Sequence, residues 1–515
     1  MSGRPSQPRT PRPAGDATRN ALAVICATLT MRPSGSSAGL TAGSALEDNG
    51  AAFGAAKSMS VSQVASPTRP VAAMRAAWRD SAARPAGWWL PPSFRGRLLM
   101  IAAGALLLRV VYVALDVAGN KGFDDRLYFH DTADNIAAGR GFIEPYLYDF
   151  LGRTVPSAGH PPLWPTVLAV PSFFGLDSWT AHQFVTACVG TAAVVTIGVL
   201  GNRVGGPCVG LIAAGLGAVS PLLIARDGSL LSESLYGLLV VCALLAAYRV
   251  VDRPVPRSAA LLGVLIGLAA LTRGEGLLFV PFLAIPVCIR ARPRGTSRKR
   301  LAAVAIAATV VTIAPWTVRN WIVFDDPVVI SLNDASVLAG ANCPATYNGT
   351  GVGGWQLNCL ARRNVRLSEP AQHAIWRRQG FTYIGDHLDQ VPKVMVYRVL
   401  RAWDLHQPSA QAHGDGRDYN VAVLGTWTYL LFVLPAGVLG AMIMYRRRSP
   451  LLILLSPVLV TTVAAALTWG LTRLRHPVDL VLLVLDAVAI TTIVHRVESR
   501  DVRTPLEAAP AESKS

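Results

Sequence analysis

Long apolar runs recur between residues 98 and 494, and short polar segments separate them. A transmembrane helix needs roughly 20 mostly apolar residues. Ten runs predict membrane-spanning helices, the two shortest with softer boundaries: 98–117, 181–204, 209–225, 230–250, 259–271, 277–289, 301–322, 421–445, 451–471 and 478–494. The pattern therefore indicates an all-α polytopic membrane protein, in which two long segments lie outside the spans.

Basic residues mark one side of these spans. The strongest clusters are RARPRGTSRKR at residues 290–300, Arg446 to Arg448, and the group of Arg249, Arg253 and Arg257. Because Lys and Arg concentrate in cytoplasmic loops, we expect both termini in the cytoplasm and the chain in the plasma membrane. This threading requires that PPLWPTVLAVPSFFG, residues 161–175, does not cross the membrane. Its four prolines favour a re-entrant or interfacial helix.

Composition agrees with a membrane class. The 515 residues are 52% hydrophobic and 15% charged, against roughly 25% charged in soluble proteins. The formal net charge of +17 falls mainly in the N-terminal tail and the short loops, so we expect no nucleic-acid partner. We divide the chain into a disordered cytoplasmic tail at 1–92, transmembrane helices at 93–323 with a first outer loop at 118–180, an outer loop or cap at 324–420, transmembrane helices at 421–496 and a disordered tail at 497–515.

Charged residues converge on the outer ends of the predicted spans. The candidates are three acids and six basic residues: Asp124, Asp125, Glu233, His160, Arg226, Arg273, Arg319, Arg473 and Arg475. Any one of them alone is ordinarily a snorkelling side chain or a structural ion pair. Five outer turns that carry such groups together indicate an anionic ligand held by arginines, and arginine forks suit phosphate.

Acids beside arginines suit transfer of a sugar from a phosphate leaving group. A base must take the proton of the attacking hydroxyl, and cations must stabilise the departing phosphate. A partly desolvated carboxylate beside a second acid is expected to have a raised pKa, which makes it a better base.

Six stretches together resemble a known family: DDRLYFHDTADNIAAGRGF, PSAGHPPLWPTVLAV, DGSLLSESLYGLLV, LAALTRGEGLLFVP, LTWGLTRLRHPVDLVLLVL and the segment from APWTVRN to GTGVGGW. Their order and spacing resemble the GT-C glycosyltransferases over residues 97–496. The most similar group is the actinobacterial branch of the protein mannosyltransferase and aminoarabinose transferase superfamily, glycosyltransferase family 39.

The resemblance implies a GT-C-like helix bundle and an inverting hexosyl- or pentosyltransferase. It implies a polyprenyl-phosphate-linked sugar as donor and a glycan, lipid or protein acceptor on the extracytoplasmic side. It places the catalytic acid at Asp125, with Asp124 just before it, a second carboxylate at Glu233 and a basic residue at His160. Arg126 stands where many relatives have Glu. Both aspartates therefore remain candidates for the base, and we assign no metal ligands, although a divalent metal stays open as a cofactor.

Two cysteines differ from the others. Cys343 and Cys359 lie in the second outer segment, in a Gly-rich stretch, where oxidation is favoured. We predict a disulfide between them. The same segment is expected to contain a helix at about 369–386.

Two other classes of protein compete with the transferase. A transporter or flippase of a lipid-linked anionic precursor would also need outer arginines, but it should show charged or broken helices open to both faces. A non-catalytic envelope assembly protein would keep the fold without turnover.

Overall fold

The computed structural model describes residues 93–117, 124–324, 326–414 and 419–501. These residues form helices and one isolated antiparallel bridge, between Ile143 and Pro156. The predicted disordered tail at 1–92 and residues 502–515 of the predicted C-terminal tail lie outside the described residues.

The helices of the first part of the chain include both long apolar elements and short connecting ones. They are α1 Phe94–Tyr112, α2 Asp125–Ala137, α3 Pro145–Leu151, α4 Leu163–Ser172, α5 Trp179–Gly205, α6 Pro207–Val219, α7 Pro221–Asp227, α8 Glu233–Asp252, α9 Pro256–Thr272, α10 Ile285–Arg290 and α11 Arg298–Phe324. A π-helical turn, Val113–Val117, continues α1, and the 3-10 turn Gly274–Leu278 and the π turn Val280–Ala284 lead into α10.

The second part begins with short helices and returns to long apolar ones. They are α12 Asn333–Ala341, α13 Pro344–Tyr347, α14 Glu369–Asp386, α15 Val391–Ala402, α16 Pro408–Gly414, α17 Tyr419–Thr428, α18 Leu434–Arg446, α19 Leu451–Leu467 and α20 His476–Asp501. Three 3-10 turns, Gly349–Gly351, Leu357–Cys359 and Thr472–Arg475, and the π turn Tyr429–Val433 complete this part.

The protein is an all-α polytopic membrane protein. Among the described residues, six helices are long and apolar enough to cross a membrane: Phe94–Leu115, Trp179–Gly205, Glu233–Asp252, Arg298–Phe324, Val423–Arg446 and Thr472–Val497. The bent pair of α6 and α7 makes a seventh if it is one span. Helices α9 and α19 are apolar but have only 17 residues each.

Prolines explain two departures from the predicted spans. The run at 209–225 is two helices that meet at 61°, because Pro221 lacks the amide hydrogen that would continue α6. The run at 277–289 is an irregular 3-10, π and α segment that contains Pro281 and Pro286. Helix α4, in the proline-rich stretch that we predicted not to cross, has only ten residues, which span roughly 15 Å.

The bundle has a buried centre and an apolar outer surface. Helices α8 and α20 lie at its centre and are mostly buried, whereas α1, α11 and α18 expose large apolar side chains. Such side chains on α11 include Val311 and Ile322, which are 70% and 75% exposed. An apolar belt of this kind is what a lipid-facing surface requires.

Two polar segments pack together over one end of the bundle. We call residues 124–162 the first loop and residues 326–414 the cap. The backbone amide of Leu332 in the cap donates to the carbonyl of Ala158 in the first loop at 2.9 Å. Arg363 of the cap pairs with Glu144 of the first loop at 3.1 Å. The predicted cap helix at about 369–386 is present as α14.

Candidate active site

A cavity of about 430 Å³ lies where the helix ends meet the first loop and the cap. Residues of the first loop and of the helix ends line it together with residues of the cap. The polar and aromatic lining residues are Asp125, Phe129, His160, Ser232, Thr272, Arg273, Glu275, Ser331, Asn333, Asp334, Arg377, Phe381, Thr468, Trp469 and Arg473. The cavity thus combines both charge signs with apolar surface, as a site for an amphipathic ligand requires.

Asp125 reaches the cavity because it is the first residue of α2. Asp124 caps this helix: its Oδ1 accepts a hydrogen bond from the Arg126 amide at 2.9 Å and pairs with the Arg126 side chain. Capping fixes the direction in which α2 starts. The Asp125 side chain therefore projects into the cavity, where it keeps 40% exposure, and Asp124 does not line it.

One buried glutamate holds two arginines against the cavity. Oε1 of Glu233 accepts from Nη1 of Arg273 at 2.8 Å and from Nε of Arg473 at 2.5 Å. Arg473 then extends Nη1 to Oδ2 of Asp125 at 3.1 Å, and Nε of Arg273 binds Glu275 at 2.5 Å. The predicted convergence of the first loop with distant helix ends is therefore present at these residues.

Glu233 lies behind the arginines and does not line the cavity. Its side chain is 2% exposed, and its Oε2 atom has no hydrogen-bond partner. This placement differs from the catalytic role predicted for it. A carboxylate that faces only protein is suited to hold the guanidinium groups in place.

His160 lies beside Asp125, supported by aromatic rings. Its Nε2 atom is 3.7 Å from Oδ1 of Asp125, and its ring packs on Tyr128 and Phe129 at centroid distances of 4.6 and 5.0 Å. Burial lowers the pKa of His160 below its usual value, although the Asp125 charge opposes this effect. The imidazole is therefore neutral at pH 7.

The Asp125 carboxyl does not have the raised pKa that we expected. Burial raises its pKa, but the positive charge of Arg473, the neighbouring His160 and the Arg473 hydrogen bond together outweigh burial. The net pKa lies below the usual value, so the group is ionised over the whole neutral range. Our expectation from the sequence took the second acid into account. It did not include Arg473, which reaches Asp125 from the last span.

Three of the predicted ligand-binding arginines lie outside the cavity. Arg226 is buried and donates to the backbone carbonyls of Thr472 and Arg473 at 2.9 and 3.1 Å. Arg226 therefore supports the turn that presents Arg473. Arg319 donates to the carbonyls of Phe142 and Ser157 at 2.9 and 3.0 Å, which attaches the first loop to α11.

Arg475 is the third of these arginines, and its contacts are with the helix bundle and the cap. It is fully buried, pairs with Asp479 at 2.8 Å and Asp404 at 3.0 Å, and lies 3.4 Å from the ring centroid of Tyr429. This ion-pair cluster joins α20 to the cap. Such a side chain is compensated within the protein and is not available to a ligand.

Two buried clusters escaped the sequence reasoning. Arg109 of α1 pairs with Asp227 at 2.7 Å, and Ser234 donates to the same carboxylate at 2.5 Å. The signal was present, because a lone Arg inside an apolar run needs a partner. Glu369 of the cap accepts from the amide of Ala158 at 2.6 Å, and no sequence pattern indicated that contact.

Among the described residues, one group of side chains has the spacing of metal ligands, and it lies outside the cavity. It consists of His130, Asp134 and His182. The two cysteines predicted to pair, Cys343 and Cys359, are joined by a disulfide in the cap.

No protein-family model matches this chain, and no curated protein matches it. Solved structures give distant similarities. One is the Archaeoglobus fulgidus oligosaccharyltransferase in complex with Zn and sulfate, with a TM-score of 0.46, 16% identity, and coverage of 80% of this chain and 51% of that chain. Another is AglB, the oligosaccharyltransferase of the same archaeon, with an inhibitory peptide and a dolichol-phosphate, with a TM-score of 0.47, 18% identity and coverage of 81% and 52%.

A third similar structure is ArnT from Cupriavidus metallidurans bound to undecaprenyl phosphate, with a TM-score of 0.38, 12% identity, and coverage of 78% of this chain and 79% of that chain. The present chain spans about half the length of the archaeal oligosaccharyltransferase. At identities below 20% and TM-scores below 0.5, the activity of this chain has to be inferred from its own residues.

Proposed function

We propose that the protein is a membrane glycosyltransferase that moves a sugar from a polyprenyl-phosphate donor to an acceptor hydroxyl. The observation that carries the proposal is the meeting of Asp125, Arg273 and Arg473 in one cavity of about 430 Å³. A carboxylate and two guanidinium groups are what transfer from a phosphate leaving group needs. The GT-C resemblance of the sequence motifs supports the same reading.

Asp125 is the proposed general base. It takes the proton of the acceptor hydroxyl while the hydroxyl oxygen forms a bond to the anomeric carbon. The bond from that carbon to the phosphate oxygen breaks, and its electron pair leaves with the phosphate, which inverts the anomeric centre. Neutral His160, 3.7 Å from Asp125, borders the same space and is placed to orient the acceptor.

Arg273 and Arg473 are the proposed ligands of the leaving phosphate. Glu233 fixes both guanidinium groups before the donor binds, so little reorganisation is needed at the moment of reaction. A phosphate that takes the Nη1 donor of Arg473 also removes a hydrogen bond from Asp125. The pKa of Asp125 then rises toward its usual value, which makes the carboxylate a stronger base once the donor is bound.

The cap is the proposed acceptor side. Phe381 of the cap and Trp469 line the cavity with Asn333, Asp334 and Arg377. Aromatic faces beside polar groups suit a sugar-bearing acceptor. Hexosyl and pentosyl donors, and glycan, lipid or protein acceptors, all fit this description.

The charge distribution supports an extracytoplasmic site in the plasma membrane. Glu233 at the start of α8 lies beside the cavity, whereas Asp252 at its other end, roughly 28 Å away, pairs with Arg203. Arg319 contacts the first loop, and the basic start of α11 at Arg298 lies roughly 30 Å below it. Because basic loops stay in the cytoplasm, the cavity faces the outside and both termini face inward.

The test is incubation of the purified full chain with a panel of polyprenyl-phosphate sugars and an acceptor extract of envelope glycans, lipids and proteins. Mass spectrometry then measures the released polyprenyl phosphate. We expect acceptor-dependent release with at least one donor. A transporter or flippase would instead move labelled donor across proteoliposomes without breaking it, and that outcome would reject the transferase.

A further inference from the structure

Two histidines and an aspartate that the proposed reaction does not use lie on the far side of α2 from Asp125. His130 and Asp134 are one helical turn apart on α2, and His182 lies in the first turn of α5. At 100° per residue, His130 and Asp134 lie roughly 140–180° around the helix from Asp125. The group is therefore separate from the cavity.

The three side chains converge on a small space. The Nδ1 atoms of His130 and His182 are 2.9 Å apart. Oδ2 of Asp134 is 3.7 Å from Nε2 of His130, and its Oδ1 is 3.9 Å from Nε2 of His182. One ligand atom from each residue lies within 4.8 Å of the other two. Two imidazoles and a carboxylate are a common zinc-ligand set, with metal–ligand bonds of about 2.0–2.2 Å.

Ser172 and Trp179 contact this group, and one of its members is partly exposed. Oγ of Ser172, at the end of α4, is 2.8 Å from both Oδ1 of Asp134 and Nε2 of His182, so a hydroxyl is placed to orient the ligands. Trp179 packs edge-on against His130 at 5.0 Å. His182 is fully buried, and Asp134 keeps 31% exposure, which leaves a path from solvent.

We propose that His130, Asp134 and His182 bind one divalent transition-metal ion of the zinc type. The ion joins α2 to α5, and Ser172 ties α4 to the same point. Since α2 begins at Asp125, the ion also holds the helix that carries the cavity carboxylate. The rival is a chain of hydrogen bonds through His130, His182, Ser172 and Asp134 that needs no ion.

The test uses tag-free full-length protein in detergent, stripped with EDTA and reloaded with Zn²⁺ or Co²⁺. Metal per chain is measured by elemental analysis after gel filtration, together with the Tm and the visible spectrum of the Co²⁺ form. We expect one ion per chain, a Zn²⁺-dependent rise in Tm and the absorption of four-coordinate Co²⁺. His182→Gln and Asp134→Asn should each lose the ion.

Two controls locate the ion. His373→Gln removes a buried histidine of the cap, and Asp125→Asn changes the cavity; both should keep one ion per chain. Wild-type protein that binds neither metal, with a Tm indifferent to Zn²⁺, would overturn the proposal in favour of the hydrogen-bond chain. Unchanged stoichiometry in folded Asp134→Asn would overturn it as well, because this partly exposed residue can be replaced without exposing the core.

Discussion

The Asp125 carboxylate is subject to two opposing effects, and the arginine from the last span decides between them. Burial alone would raise its pKa, whereas Arg473 at 3.1 Å lowers it and leaves the group ionised. The Asp125 carboxylate is thus already in the form that accepts a proton. Its strength as a base depends on whether Arg473 donates its hydrogen bond to Asp125 or to the phosphate. This coupling requires that the base, Asp125, and the arginine that binds the phosphate, Arg473, are hydrogen-bonded to each other before the substrate binds.

The pH profile of kcat/KM should report this coupling. Because the pKa of Asp125 is lowered, the acid limb of the wild-type profile should lie below about pH 4, the ordinary aspartate value. In Arg473→Gln the burial effect dominates, so the acid limb should move to higher pH, with a large loss of overall rate. A variant whose acid limb stays in place would show that Arg473 does not set the Asp125 pKa.

Glu369 is a second residue whose ionisation matters, because it fastens the cap to the first loop. Its Oε1 accepts from Ser157 at 2.9 Å and its Oε2 from Ala158 at 2.6 Å, three and two residues before His160. Burial raises its pKa to about 7, and the Glu144 charge adds to this, while its two hydrogen bonds and Arg363 oppose it. The folded protein therefore binds this proton more tightly than the unfolded chain does.

Stability should consequently fall as pH rises from about 4.5 to about 7, by roughly 3 kcal/mol from this group, and then level off. Glu369→Gln keeps a neutral side chain of the same shape. The variant should lack this part of the pH dependence, and the difference between its Tm and that of wild type should grow toward pH 7. Parallel Tm curves for the two proteins between pH 4.5 and 7 would contradict the assignment.

At the scale of elements, helices whose ends are set by a capping residue or a nearby proline could be predicted from the sequence. Helix α14 begins where Ser368 caps it and Pro370 occupies its first turn, and the predicted bounds coincide with Glu369–Asp386. The bend at Pro221 was not predicted, because the mean hydropathy of the run at 209–225 is high whether or not a proline interrupts it. Its consequence is tertiary: the redirected helix α7 brings Asp227 to Arg109.

That ion pair predicts a glycine requirement on α5. A Cβ at Gly190 would lie 2.0 Å from Cγ of Asp227, and Arg109 and Ser234 prevent the carboxylate from moving aside. Gly190→Ala should therefore lose about 1–3 kcal/mol of stability, measured as a lower Tm in detergent.

Gly215→Ala is the matched control, because it places the same methyl group on α6 with no atom within 4 Å. It should be neutral or gain up to about 1 kcal/mol from helix propensity. Equal Tm values for the two variants would show that a clash with the Arg109–Asp227 ion pair does not destabilise Gly190→Ala.

The disulfide of the cap is directly testable. Cys343 and Cys359 should appear as one linked peptide pair in non-reducing mass mapping of protein purified without reductant. Free cysteines elsewhere, such as Cys188, should be alkylated in the same denatured sample. Alkylation of both cap cysteines before reduction would contradict the pairing.

At the scale of the whole molecule, hydropathy and charge give depth along the membrane normal but not direction around each helix. The sequence therefore placed the charged turns at one end of the bundle, and the structure brings Asp125, His160, Arg273 and Arg473 into one cavity. The sequence alone did not distinguish these four residues from Arg319 and Arg475, which lie at similar depth but face neighbouring protein. Which side of a helix end meets the cavity depends on packing between distant segments, which no local pattern records.

The proposed transferase activity depends most on Asp125 acting as the base. The most direct measurement compares turnover with donor binding in two neighbouring variants. Asp125→Asn cannot accept the proton and should lose about 100-fold or more in polyprenyl phosphate release, while its donor affinity stays within a few-fold of wild type. Asp124→Asn keeps a good helix cap outside the cavity and should remain active. Full turnover by Asp125→Asn would contradict the catalytic assignment.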